Sequence, residues 1–316
     1  MINLTIAVCT YNRSEFLEIC LQHLLPQTKG IESLRILIVD NNSNDTTREV
    51  VQNLQTEYKT LEYSLCTIQG LSHARNHALS QCDSVWLSFL DDDAYPVDNW
   101  LETNIKLINS GSYDAFGGLY LPWYFVGKKD WFLETYETNS SFMPVVEEKQ
   151  LAPSDPYFSG GNCTFNVSLL KSVGGFSPLL GMNGNSMGYG EEVAAQRALA
   201  IKGARLGFSR NLIIYHYVPM HKQTVTWAWR RAYNIGRDFW FIWDKPVTKK
   251  NFRFYITKKV KKSYKQLKVS INNVYETNSD YGMKNLFYDL STWAGVLGLI
   301  IGASERYSRD KKQAVE

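Results

Sequence analysis

The chain has 316 residues, of which 44% are apolar and 14% aromatic. This is enough for one large core or for a domain with an extension, and it excludes a chain that is disordered throughout. The formal net charge of +3 gives no reason to expect nucleic-acid binding. Five scattered cysteines without CxxC spacing give no support to a zinc site or a disulfide framework. They favour a reducing compartment, so we expect a cytoplasmic protein.

The first third of the chain alternates between short apolar runs and helical patterns. The apolar, β-branched runs predict strands, and the patterns that follow polar turns predict helices. The predicted elements are strands at 3–9, 34–39, 61–66 and 85–90 and helices at 14–25, 46–57 and 72–81. This order predicts an α/β fold with a mixed, mainly parallel sheet flanked by helices.

Polar turns follow three of these strands, at 10–13, 40–45 and 91–93. Ligands bind outside the carboxyl ends of the strands in open α/β sheets, so we expect these turns to share one functional rim. None of the turns contains GxGxxG or GxxxxGK[ST]. The sequence therefore lacks the phosphate-binding loops of nicotinamide-binding and P-loop proteins.

The second half of the chain is less regular. It contains a predicted strand at 115–121, an aromatic loop or small subdomain at 122–157, a helix at 191–202 and one or two strands at 205–217. The segment 245–268 has ten Lys or Arg and no Asp or Glu, and 292–303 is apolar. We predict a catalytic domain over 1–240 and a basic, aromatic, helical extension over 241–316.

The three consecutive carboxylates Asp91, Asp92 and Asp93 end the fourth predicted strand. Three adjacent negative charges are costly unless a cation or hydrogen bonds compensate them. Oxygen ligands suit Mg²⁺ or Mn²⁺, so a cation site is one interpretation, and a solvated turn is the other. His216 lies on an apolar predicted strand. It is a metal ligand only if that strand returns to Asp93, and otherwise a core histidine.

Four further residues have two interpretations each. Asp40 either accepts hydrogen bonds from a base or ribose or only makes a turn. Arg75 either pairs with a diphosphate or is an exposed helical arginine. Glu191 and Glu192 begin a predicted helix. They either stabilise its N-terminus or supply a general base for an acceptor hydroxyl.

Several motifs follow one another in a specific order over residues 3–240. They are Thr-Ile-Ala-Val-Cys-Thr-Tyr-Asn-Arg, Ile-Val-Asp-Asn-Asn-Ser-Asn-Asp-Thr-Thr, Gly-Leu-Ser-His-Ala-Arg-Asn-His-Ala-Leu, Phe-Leu-Asp-Asp-Asp-Ala-Tyr-Pro, Ser-Gly-Gly-Asn and Gly-Glu-Glu-Val-Ala-Ala-Gln-Arg-Ala-Leu. Each motif alone is weak, but the ordered set resembles glycosyltransferase family 2, which has the GT-A fold.

The resemblance implies an inverting, metal-dependent enzyme that takes a sugar from a nucleotide diphosphate. By this resemblance, a UDP-sugar is the default donor and the cofactor is Mn²⁺ or Mg²⁺. The implied nucleotide-binding residues are Thr10, Tyr11, Arg13, Asp40, Arg75, Asp91 and Asp92. Asp93, Asp91 and His216 would bind the metal, and Gly160, Gly161 and Asn162 would lie against the donor sugar.

Glu192 matches the base of this family, which is commonly Asp. The sequence has a Glu-Glu pair instead, so the choice between Glu191 and Glu192 stays open. Trp123, in the aromatic loop, is a candidate contact for a glycan or lipid-linked acceptor.

The segments 245–268 and 292–303 suggest a peripheral position on the anionic inner face of the cell membrane. The alternative is a solvated basic helix that covers the catalytic domain, with 292–303 packed as core. RNA binding is the weaker explanation of the charge because no recognition motif accompanies it. Competing functions are another metal-dependent nucleotide enzyme, such as a nucleotidyltransferase, and a non-catalytic sugar-nucleotide-binding protein. The sequence predicts neither the donor sugar, the acceptor nor the oligomeric state.

Overall fold

The computed structural model describes residues 3–31, 33–132, 137–140, 143–152, 154–184, 186–277 and 280–313. The chain forms two compact units. The first consists of the described parts of 1–123, 137–185 and 191–217, and the second of those of 124–136, 186–190 and 218–316.

The first unit is built on one sheet. Its order is β3-β2-β1-β4-β8-β6-β9-β5, and β7 also pairs with β9. The strands are β1 (Leu4–Thr10), β2 (Leu34–Asp40), β3 (Leu61–Leu65), β4 (Trp86–Asp91), β5 (Ala94–Pro96), β6 (Ala115–Trp123), β7 (Glu148–Gln150), β8 (Asn162–Asn166) and β9 (Leu206–Tyr217). The helices are α1 (Ser14–Leu24), α2 (Thr47–Leu54), α3 (Leu71–Ser80), α4 (Trp100–Asn109), α5 (Val167–Ser172) and α6 (Glu191–Ile201), and a 3₁₀ turn lies at Leu25–Thr28.

Strand directions divide the sheet into two parts. Strands β3, β2, β1 and β4 are mutually parallel, as the alternation of strands and helices predicts. Strand β8 is antiparallel to both β4 and β6, whereas β9 is parallel to β6 and antiparallel to β5 and β7. The predicted mixed sheet with flanking helices is confirmed.

The apolar strands supply two cores, one on each face of the sheet. Successive side chains of a strand point to opposite faces. Accordingly Leu4, Ile6 and Val8 belong to one core, with side chains of α1, α2 and α4. Ala7 and its neighbours on the same face belong to the other, with side chains of α3, α5 and α6. Burial on both faces explains why β1 is apolar at most of its positions, with the buried Thr5 as an exception.

Three long helices dominate the second unit: α7 (Val225–Ile242), α8 (Lys249–Thr277) and α9 (Asp280–Gln313). Helices α7 and α9 pack closely because glycines face backbone. A Cβ at Gly298 would overlap the carbonyl oxygen of Tyr233, and one at Gly302 would overlap that of Arg237. Small residues allow such an approach of two helices. None of the helices in the described ranges is both long and apolar enough to cross a membrane.

The apolar run 292–303 lies within α9. Its residues Ala294, Val296, Leu299 and Ala303 are buried, whereas Leu297, Ile300 and Ile301 are exposed. The alternative that 292–303 packs as core therefore applies to one side of the helix only.

The predicted boundary between residues 240 and 241 falls inside α7, near its C-terminal end, and the second unit already includes the residues from 218 onward. The division into a catalytic domain and an extension at that position stays a prediction.

Candidate active site

The carboxyl ends of β1, β2 and β4 form one edge of the sheet. Thr10 lies opposite Asp40, and Cys9 lies opposite Asp91 in the parallel register. The backbone N–H of Asn41 donates to the carbonyl oxygen of Thr10 at 2.8 Å. The three polar turns therefore meet at one rim, as the strand order requires.

The acidic turn leads directly into a strand that pairs with β9. Ala94 of β5 lies opposite His216 of β9, and the N–H of Tyr217 donates to the carbonyl oxygen of Asp93 at 2.8 Å. This antiparallel pairing returns His216 to the acidic turn. The condition under which His216 is a candidate metal ligand is met.

Asp91, Asp93 and His216 form a group that could hold a metal ion. One ligand atom from each lies within 4.8 Å of the others. The Nε2 atom of His216 is 3.2 Å from Oδ1 of Asp93 and 3.9 Å from Oδ2 of Asp91. Two carboxylates and an imidazole are ligands that a divalent cation accepts. The donor set therefore fits a metal, although it does not identify one.

Arg13 bridges two of the carboxylates of the acidic turn. Its Nη1 donates to Oδ1 of Asp92 at 3.0 Å and to Oδ2 of Asp93 at 2.8 Å. Burial raises the pKa of the Asp92 carboxyl, and the Arg13 guanidinium opposes that shift. The Arg13 side chain is 44% exposed, so it can reach a ligand at the rim. Asp92 thus has a structural partner that the sequence did not reveal.

Short hydrogen bonds connect the residues on the predicted nucleoside side of the rim. Asp40 is buried, with Oδ1 accepting from the N–H of Ser43 at 2.8 Å and Oδ2 from the hydroxyl of Tyr63 at 2.7 Å. The turn interpretation of Asp40 is therefore observed. Thr10 is buried and Tyr11 half-buried at the same edge.

Asn41 is a rim residue that sequence reasoning missed. Its Oδ1 accepts from the N–H of Gly70 at 2.7 Å, and its Nδ2 donates to the carbonyl oxygen of Ile68 at 2.7 Å. The side chain thereby ties the end of β2 to the start of α3. Its position directly after Asp40 in the polar turn was the available signal.

Arg75 is buried rather than exposed on its helix. Its Nη1 donates to Oε1 of Glu191 at 2.5 Å, and its Nη2 is 3.5 Å from Oδ1 of Asp91. The guanidinium also lies over the rings of Phe89 and Phe176, 5.7 and 5.6 Å from their centroids. The exposed-arginine interpretation is wrong. The predicted contact of Arg75 with a diphosphate stays a prediction.

The two glycines of the predicted sugar loop lie against charged side chains. A Cβ at Gly160 would lie 2.7 Å from Nη1 of Arg75, and one at Gly161 would overlap the carboxylate of Asp91. Only glycine therefore fits at these two positions, because the charged groups occupy the space that a side chain would need.

Asn162 follows these glycines but points into the interior. Its Nδ2 donates to the carbonyl oxygens of Leu119 and Leu212, and its Oδ1 accepts from Nε1 of Trp100 at 2.8 Å. The residue is 0% exposed. The structure thus gives this side chain a structural role and no support for a direct contact with a donor sugar.

Glu191 and Glu192, at the start of α6, differ in their contacts. Glu191 is committed to Arg75 through the ion pair, whereas Glu192 is half-buried. Burial raises the pKa of Glu192 to about 8, with a further increase from the neighbouring Glu191 and a decrease from Arg75. A carboxyl with a pKa near neutrality suits a general base.

Trp123 ends β6 within a group of half-buried aromatic rings. Its ring centroid lies 5.1 Å from that of Tyr95, 5.7 Å from that of Tyr217 and 6.3 Å from that of Phe16, all in edge-on arrangements. Sequence reasoning singled out Trp123 but missed its three partners. They come from separate elements, so no local pattern marks them as a group.

The family model described as Glycosyl transferase family 2 matches residues 5–174, more than half of the chain. The chain belongs to glycosyltransferase family 2. It is 33% identical over 115 residues to Glycosyltransferase AglE of Haloferax volcanii, covering 36% of this chain and 38% of that protein. It is 34% identical over 119 residues to GalNAc(5)-diNAcBac-PP-undecaprenol beta-1,3-glucosyltransferase of Campylobacter jejuni, covering 37% and 38%. The matches thus span less than half the length of both relatives.

Solved structures of other proteins share the fold. Mannosyltransferase PcManGT of Pyrobaculum calidifontis, in complex with GDP-Man and Mn²⁺, has a TM-score of 0.59 at 18% identity and covers 99% of this chain and 81% of that chain. S. aureus TarS 1–349, in complex with UDP-GlcNAc, has a TM-score of 0.55 at 17% identity and covers 74% and 66%. The expected GT-A fold of this family 2 member is confirmed.

The contact between Gly161 and Asp91 generates a prediction. Gly161→Ala displaces the Asp91 carboxylate, because the added Cβ would overlap it. We expect Mn²⁺ to raise the Tm of the native chain, and we expect Gly161→Ala to lose this rise while its far-UV circular dichroism spectrum stays unchanged. Gly30→Asn is the matched control, because its backbone is left-handed and nothing lies near its Cβ position. An unchanged Mn²⁺ response in Gly161→Ala would contradict the placement of Asp91.

Proposed function

We propose that this chain is an inverting glycosyltransferase that moves a sugar from a nucleotide-diphosphate donor to a hydroxyl of a glycan or lipid-linked acceptor. The observation that carries the proposal is the meeting of Asp91, Asp93 and His216 at the rim of the sheet. A cluster of metal-binding side chains at the carboxyl ends of parallel strands is suited to bind a cation together with the diphosphate of a ligand.

Ligands of similar solved structures support one class of donor. Two solved structures with this fold are complexes with GDP-Man and with UDP-GlcNAc, and both ligands are nucleoside-diphosphate sugars. We propose a donor of this class, with UDP as the default nucleoside diphosphate. The proposed nucleoside contacts are Thr10, Tyr11 and Asp40, which meet at one side of the rim.

The proposed cofactor is Mn²⁺ or Mg²⁺, which Asp91, Asp93 and His216 would hold. When bound, the cation neutralises negative charge on the departing diphosphate. Mg²⁺ prefers oxygen ligands and retains its waters, so the imidazole of His216 favours Mn²⁺. The Mn²⁺ in the PcManGT complex agrees with that preference.

Glu192 is the proposed general base. Its carboxylate takes the proton of the acceptor hydroxyl, and the oxygen then attacks the anomeric carbon from the side opposite the diphosphate. The new carbon–oxygen bond forms as the bond to the phosphate oxygen breaks, and the electron pair of that bond leaves with the diphosphate. A single displacement of this kind inverts the anomeric configuration.

Glu191 has a different proposed role, because the ion pair with Arg75 occupies it. It would hold Arg75 beside Asp91 and beneath the Gly160 backbone. Arg13, already held by Asp92, is exposed enough to reach a donor phosphate. In this arrangement Gly160 and Gly161 offer backbone surface to the donor sugar.

The acceptor is the least constrained part of the proposal. The printed name of the Campylobacter jejuni relative describes a glucosyltransferase acting on an undecaprenol-linked glycan. We propose an acceptor of the same broad class, a glycan or lipid-linked glycan. The half-buried ring of Trp123 offers a surface on which a sugar ring can stack.

Transfer assays with purified chain test the proposed reaction. A screen of nucleotide sugars with Mn²⁺ and Mg²⁺ should show donor hydrolysis, and transfer once an acceptor is supplied. Glu192→Gln should lower the transfer rate by about 10²–10⁴-fold, the range of a general base. Asp93→Ala, which removes a proposed metal ligand, should also lower the rate, and the fold should be retained in both variants. Asp98→Ala and Glu18→Gln, at exposed acidic positions, are the controls.

Three outcomes of assays on the purified chain would contradict the proposal. Near-native transfer by Glu192→Gln would move the base to another residue. Nucleotide-sugar binding without any turnover would favour the non-catalytic alternative, and release of pyrophosphate from a nucleoside triphosphate would favour a nucleotidyltransferase.

The raised pKa of Glu192 gives a pH prediction. Only the ionised carboxylate accepts a proton, and its pKa is raised to about 8. We therefore expect kcat/KM to increase with pH and to level off above about pH 8. The residual activity of Glu192→Gln should lack this limb, because the amide does not titrate. A rate that is independent of pH across this range, or a limb that survives in Glu192→Gln, would exclude Glu192 as the base.

A further inference from the structure

One side of α8 exposes a continuous array of basic and aromatic side chains. We define this basic face of α8 by residues that recur every three or four positions and therefore share one side of a helix. Its members are Lys250, Arg253, Phe254, Lys258, Lys261, Tyr264, Lys265 and Lys268, all of which are exposed.

The opposite side of α8 is packed. Phe252, Tyr255 and Ile256 contact the small core around Trp240 and Leu299 of the same unit. The helix is therefore divided into an apolar inner side and a charged outer side. Because the inner side of α8 is packed, the basic face is held on the surface of the unit.

The basic face has no acidic partner along its own length. From residue 245 to 268 the sequence contains no Asp or Glu. Like charges three or four positions apart, such as Lys261 and Lys265, disfavour a helix. The exposed lysines therefore repel one another, and contact with a negatively charged partner would relieve this repulsion.

The exposed apolar side chains of α8 distinguish between classes of partner. Phe254 is 58% exposed and Tyr264 is 63% exposed, although both lie among lysines. Farther along α8, Val269 and Ile271 are also exposed. Aromatic rings can stack on bases, but branched aliphatic side chains gain nothing there. In a lipid interface, both kinds of side chain are buried while lysine heads remain at the phosphates.

We propose that the basic face of α8 docks on the surface of an anionic lipid bilayer. The lysines and Arg253 bind headgroup phosphates, and Phe254 and Tyr264 enter the interface between headgroups and acyl chains. The partner is thus a phospholipid surface that carries net negative charge. This docking does not depend on the proposed transfer reaction, and it can be measured without a donor or an acceptor.

Sedimentation with vesicles tests the docking. The full chain should bind vesicles of phosphatidylglycerol and phosphatidylcholine at low salt, should be released at high salt, and should not bind pure phosphatidylcholine. Replacing Lys261, Lys265 and Lys268 together by Gln should weaken the partition by about a hundredfold, because each basic residue near such a surface contributes about fivefold. The matched control is the triple replacement of exposed lysines in the first unit, Lys29→Gln, Lys59→Gln and Lys106→Gln.

The aromatic residues have their own test. Phe254→Ser with Tyr264→Ser should weaken binding to the anionic vesicles while the net charge stays the same. The chain has nine tryptophans, so in Phe254→Trp brominated lipids should quench a larger part of the total tryptophan fluorescence than they do in the native chain.

Several outcomes would overturn the proposal. They are no binding to anionic vesicles at low salt, equal binding to pure phosphatidylcholine, and an equal loss of binding in the control triple variant. Displacement of the protein from vesicles by single-stranded RNA at equal phosphate concentration would assign the face to nucleic acid instead.

Discussion

The mutual repulsion of three consecutive carboxylates is the constraint on which the rim depends. Coulomb repulsion between unit charges 4 Å apart is about 1 kcal/mol in water and about 4 kcal/mol near a protein surface, so Asp91–Asp93 cannot end a buried strand unaided. Each carboxylate has at least one cationic or imidazole partner: Arg75 approaches Asp91, Arg13 binds both Asp92 and Asp93, and His216 also contacts Asp93. Gly161 remains without a side chain because the first of these carboxylates fills its space.

Local patterns predicted the parallel half of the sheet. Strands such as Leu34–Asp40 are buried on both faces, so their apolar runs can be recognised in the sequence. Local patterns did not predict β5 (Ala94–Pro96) or β8, which are short and owe their strand conformation to partners distant in sequence. The same limit applies to the site. Asp93 could be singled out from its turn, but the contact of Arg13 with the acidic turn and the interior position of Asn162 arise only when separate elements come together.

Family membership and geometry support different parts of the account. The family match ends at residue 174, so it contains the acidic turn but neither Glu192 nor His216. Both residues were candidates from the sequence, and the structure supports their position: β9 pairs with β5, and at the start of α6 Glu191 forms an ion pair with Arg75 whereas Glu192 is half-buried. The proposed roles of base and third ligand therefore rest on this pairing and this ion pair.

The central claim is that His216 completes a metal group with Asp91 and Asp93. Pulsed electron paramagnetic resonance of the Mn²⁺-loaded chain in the presence of UDP tests it most directly, because an imidazole bound to the metal gives a ¹⁴N coupling. The account predicts this coupling in the native chain and in His221→Gln, and its loss in His216→Gln. Bound Mn²⁺ without nitrogen coupling, or a coupling that survives in His216→Gln, would contradict the claim.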